Sequence, residues 1–173
     1  TSIIIPWLKE TYDYEISLED YQLMYRKMSE LSKVVSKSMV VVASVDRDVD
    51  ILNESYENVA KTSGIIFAEN AQELFIFADG TNISDEGEIQ ISFNNGSIYE
   101  AHLKRKDKDT NIAVYSIPLA GMDEYTKKSY EICTFGNSYT TTLLGSPVMA
   151  VGDPLAKNGS LCYGAITSMN TYI

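Results

Sequence analysis

The chain has 173 residues, 45% of them hydrophobic, enough for one globular domain with its own core. Its net charge of −10 argues against a nucleic-acid partner: polyanions are held by clustered Lys and Arg, and the only basic run, Lys104-Arg105-Lys106, is flanked by Glu100, Asp107 and Asp109 and reads as an exposed turn. The same acidity disfavours anionic membrane surfaces, and no stretch approaches the roughly 20 apolar residues that span a bilayer.

Residues 1–38 form an N-terminal segment in which Ile3-Ile4-Ile5-Pro6-Trp7-Leu8 is far too short to cross a membrane. The first residue is not methionine, which leaves room for an upstream signal or membrane anchor. Ser17-Leu18-Glu19-Asp20 is a capping sequence, so a helix is predicted over about 18–37. Along it Tyr21, Met24, Met28, Leu31 and Val35 recur at steps of three and four, with Arg26, Lys27, Ser29, Glu30 and Lys33 on the other faces. That stripe is a packing surface, for a neighbouring domain or for oligomerisation; two heptads are too few to define a coiled coil.

From Met39 the texture changes to strands. Met39-Val40-Val41-Val42-Ala43-Ser44-Val45 is a short β-branched run, and residues 46–58 read as an acidic surface loop. Asp46, Asp48 and Asp50 lack the glycine and distal glutamate of a calcium-binding loop, so no metal site is assigned. Ser63–Phe67 and Glu73–Phe77 are predicted strands, Glu88–Phe93 alternates strictly, and Asn94-Asn95-Gly96-Ser97 signals a hairpin with a type I′ turn into a strand over Ile98–Leu103. Ile112–Ile117 is a further strand. Val148–Val151 and Leu161–Ser168 form a last pair, joined through Gly152-Asp153-Pro154. Short strands without interleaved helices predict a barrel or sandwich. Cys133 and Cys162 have no metal-ligand spacing; they suit either two reduced core thiols or one disulfide in an exported protein.

In order and spacing these segments resemble the protease domain of the HtrA/Deg family of trypsin-like serine proteases, from Val40 to Ser168. Ser63-Gly64-Ile65-Ile66 resembles the family's G-S-G-x-I/V-I strand, and Phe75–Ile83 falls where a strand leads into T-N-x-H-V. Ile91–Ser97 is similar to its D-G hairpin, Asp109-Thr110-Asn111-Ile112-Ala113-Val114 to T-D-I-A-V, and Phe135-Gly136-Asn137-Ser138 to L-G-D-S. Val148–Pro154 resembles V-I-A-I-G-N-P, and Gly164–Ser168 the G-I-V-S that follows. The resemblance implies an all-β, trypsin-like antiparallel barrel over residues 39–173, with 146–173 as the first hairpin of a second barrel, preceded by the helix. That hairpin has no barrel to join within this sequence. It is expected to pack on the first barrel, pair with another copy, or belong to a longer protein.

The departures fall on the chemistry. The resemblance puts Thr81 at the histidine position, where a hydroxyl cannot act as a general base, and Asn111 at the aspartate position, where the amide alone costs about 10⁴ in kcat. No G-N-S-G-G-P nucleophile motif occurs. His102, the only histidine, lies well past the expected site; Ser138, Ser146 and Ser160 read as turn residues, and Asp79 as a turn carboxylate. No catalytic residue, cofactor or metal is assigned. The expectation is an inactive HtrA-like domain of the cell envelope, exported or membrane-tethered, that binds peptides or partner proteins or contributes to an assembly. The alternatives are a hydrolase with relocated groups or a nucleophile beyond Ile173, and a structural module that self-associates through its helix.

Overall fold

A computed structural model describes residues 16–49, 55–85, 87–137, 144–152 and 160–168. Ser138, Asp50 and the Asp153-Pro154 turn lie outside these residues. The chain divides into two compact units, residues 1–31 and 32–173.

Helix α1, Leu18–Ser36, starts as its capping sequence predicts. The Ser17 hydroxyl accepts from Asp20 N at 3.1 Å, while the Asp20 carboxylate accepts from Ser17 N at 3.0 Å and from its Oγ at 2.6 Å. This reciprocal cap satisfies an orphan amide of the first turn. No residue of α1 is buried, and Tyr21, Met24, Leu31 and Val35 of its stripe are exposed.

Six strands close an antiparallel barrel: β1 Met39–Val49, β2 Ser55–Glu69, β3 Glu73–Asp79, β4 Glu88–Phe93, β5 Ile98–Lys106 and β6 Ile112–Pro118. Their order around the barrel is β1-β2-β3-β6-β5-β4, with β4 pairing back on β1 from Val40↔Phe93 to Val45↔Glu88. A 3-10 turn, Leu119–Gly121, and the one-turn helix α2, Glu124–Lys127, follow β6. Strands β7, Pro147–Gly152, and β8, Ser160–Ala165, form a separate two-stranded sheet. This all-β architecture with an N-terminal helix and an appended hairpin is consistent with the trypsin-like class.

Alternation in the strands fills the barrel. In β3 every second residue is buried, and Val40, Val42, Ile66, Leu74, Ile76, Ile91, Tyr115 and Ile117 make the centre of the core. Gly64 faces this interior: a Cβ there would come within 2.8 Å of methyl groups of both Val42 and Ile76. Outside, Phe67, Phe75 and Phe77 line β2 and β3. Phe135 stacks on Phe77 at 5.9 Å, its segment fastened by a hydrogen bond from Cys133 N to Ile66 O.

Four sequence expectations are corrected. The stretch 46–58 is not simply a loop: Asp46–Val49 extends β1 and Ser55–Asn58 extends β2, because the backbone ladder continues wherever a partner strand runs alongside, whatever the side chains. Lys104-Arg105-Lys106 is the end of β5 rather than a turn; Lys104 binds Glu73 at 2.7 Å and Lys106 binds Asp85 at 2.9 Å. The Asn94–Ser97 hairpin is not type I′, which needs two successive positive φ angles. Only Gly96 has one (87°), after a turn closed by Gly96 N donating to Phe93 O. Neither cysteine is a core residue: Cys133 is half-buried and Cys162 exposed, and both are free thiols.

Candidate functional site

The positions that the family resemblance assigns to a catalytic base and acid come together at one end of the barrel. Strands β3 and β6 pair up to Asp79↔Ile112, and just beyond that pair Gly80 N donates to Asn111 O at 2.8 Å. Glycine permits this approach: a Cβ at residue 80 would sit 3.0 Å from Ala113 Cβ and 3.2 Å from Asn111 O. Thr81 is therefore one residue from a direct backbone link to Asn111.

Both positions serve the backbone turns. Thr81 donates to Asp79 Oδ1 twice, from its amide at 2.9 Å and from its hydroxyl at 2.5 Å, closing an Asx turn at the end of β3. The Thr81 hydroxyl, first, and then its amide hold the Asp79 carboxyl below its ordinary value. A carboxylate stabilised in that way is a poorer proton acceptor. Across the gap Asp107 accepts from the hydroxyl (2.5 Å) and amide (3.1 Å) of Thr110, and the β5–β6 loop ends on Asn111 with φ 58°. Asparagine is among the few residues that take this left-handed conformation readily.

The remaining candidates lie elsewhere. His102 is exposed on β5 and stands opposite Ser116 of β6. Ser116 is fully buried, and its hydroxyl donates to Glu73 Oε1 at 2.8 Å. Glu73 also binds Lys104, whose ammonium, followed by the Ser116 hydroxyl, lowers the Glu73 carboxyl. This Ser-His-Glu grouping, brought together from β3, β5 and β6 only by the strand order, has its serine proton committed to a low-basicity carboxylate and its serine closed to solvent. It does not form a nucleophile–base pair. Tyr115, also buried, has its phenol pushed up to about 12 by burial, with Asp85 and Asp79 adding to the shift. Ser146 is half-buried beside the mouth of the β7–β8 hairpin, where its carbonyl accepts from Ile166 N at 3.0 Å. Ser160 begins β8 on the exposed surface.

A second polar cluster ties the β4–β5 hairpin to α2. Asp123 caps α2, accepting from Thr126 N at 2.8 Å, from Thr126 Oγ1 at 2.8 Å and from the Tyr99 hydroxyl at 2.5 Å. Thr126, fully buried, also accepts from Asn95 Nδ2 at 2.9 Å. The Tyr99 hydrogen bond, then those from Thr126, lower the Asp123 carboxyl to about 2. These groups satisfy one another, which marks a structural joint.

A cavity of about 440 Å³ is lined among others by Ser36, Lys37, Met39, Asn94, Val151 and Leu161, and neither Thr81 nor Asn111 lines it. Among the described residues no group of three or more His, Cys, Asp or Glu is arranged to hold a metal ion, and no helix is long and apolar enough to cross a membrane. No protein-family model matches the chain, and no curated protein matches it.

Proposed function

We propose that this chain is a non-catalytic, HtrA-like trypsin-fold domain of the cell envelope that binds peptides or partner proteins. The observation that carries the reading is the duty of residues 81 and 111: the Thr81 hydroxyl is bonded to Asp79, and Asn111 holds a left-handed turn. A base and an acid at these positions would have to displace turn-forming residues on both strands. The family resemblance supports the fold and the envelope location, and the vacated positions support binding over hydrolysis.

The test is to incubate the 173-residue protein with unfolded casein and with a fluorophosphonate probe, and to follow cleavage, labelling and co-sedimentation. Casein that is bound but not cut, with no label incorporated, is the expected outcome. Cleavage abolished by one of His102→Ala, Ser146→Ala or Ser160→Ala would overturn the reading in favour of a relocated hydrolase. The exposed apolar stripe of α1 favours a second reading, self-association through the helix.

A further inference from the structure

β2 is longer than the strand that covers its outer side. β1 accompanies it from Ser55 to Ile65, but β3 pairs only from Gly64 to Glu69. Among the described residues, no strand pairs with the outer side of β2 from Ser55 to Thr62. The direction of the backbone groups follows from one bond: Ile66 N donates to Ser38 O, on the β1 side. Since successive residues point their N–H and C=O to opposite sides of a strand, residues 64, 62, 60 and 58 address β1 and residues 57, 59 and 61 address the uncovered side. Val59 is 43% exposed, and Lys61 is exposed beside it.

The sequence around Val59 is self-complementary: Glu57 precedes it by two residues and Lys61 follows it by two. We infer that this edge pairs antiparallel with the same edge of a second copy of the chain, about a two-fold axis at Val59. Val59 then stands opposite Val59 of the second copy, and Glu57 opposite its Lys61, once on each side of the axis. Because residues 57, 59 and 61 carry the outward groups, all three facing pairs are hydrogen-bonded pairs, each exchanging two N–H···O bonds. A slip of one residue would put the wrong backbone groups at the interface, and a slip of two would separate the charges. The arrangement is isologous, as two-fold symmetry requires, and covers an edge that would otherwise recruit strands indiscriminately.

Sedimentation equilibrium over a wide concentration series tests this directly. The expected result is a monomer–dimer equilibrium that Lys61→Glu weakens by about tenfold, since two opposite-charge pairs become two like-charge pairs. The double exchange E57K/K61E should restore it. Val59→Pro should abolish the dimer while far-UV circular dichroism stays unchanged, because the N–H it removes faces away from β1. A monomer at every concentration overturns the inference. So does a dimer indifferent to Lys61→Glu, one not rescued by the double exchange, or one lost only on Met28→Asp in α1.

Discussion

At Asn111 the backbone turns left-handed, and few side chains tolerate that turn. Read as part of a protease motif, the residue looks like an aspartate lost. Seen in the β5–β6 loop, it is a residue suited to its φ angle. The backbone account predicts that Asn111→Gly changes stability by only a few tenths of a kcal/mol, whereas Asn111→Val costs about 1–2 kcal/mol in urea unfolding. A neutral valine would refute it. Asp123 offers a second single-residue test. Its carboxyl lies at about 2, below the ordinary 3.8, so it contributes stability that is fully present above the ordinary value and lost as pH falls toward about 2. Tyr99→Phe removes the leading cause. Carboxyl NMR titration should show the Asp123 pKa rising toward 3.8, with a correspondingly weaker acid dependence of unfolding over that interval.

Among the elements, β2 shows most clearly how side-chain packing and backbone pairing set different limits. Gly64 marks where the barrel wall becomes tight: the Val42 and Ile76 methyls occupy the space a side chain would need. Gly64→Ala should therefore cost about 1–3 kcal/mol, read as a lower urea midpoint with an unchanged slope. Strand identity was legible where apolar residues alternate, as in Glu88–Phe93, and where they run together beside a polar turn, as in Leu74–Phe77. It was not legible over Asp46–Val49 or Ser55–Asn58, where the strand is held by its ladder to a neighbour and composition carries no such signal. The helix cap at Ser17 was readable because all its atoms come from four consecutive residues. The joint of Tyr99, Asp123 and Thr126 was not, since its members meet only after folding.

For the molecule as a whole, the barrel class could be read from the collinear segments between Val40 and Ser168, even though no family model or curated protein matches the chain. The proposed loss of chemistry was legible only as the wrong residue types at 81 and 111. The sequence could not show that Asp79 and Thr110–Asn111 form turns meeting through Gly80, because that depends on the β3–β6 register. Nor could it show that the lone histidine lies opposite a buried serine.

The closing of β4 onto β1 also bears on how the chain reaches this state. β1 pairs with β2, its neighbour in sequence, but its other edge must wait for Glu88–Phe93, with β2 and β3 intervening in sequence. Closure therefore carries the loop entropy of a long-range contact before the core can compensate it. That places the domain among slowly folding, non-local topologies, in the millisecond-to-second range, with the β1–β4 seam open in any partly assembled species.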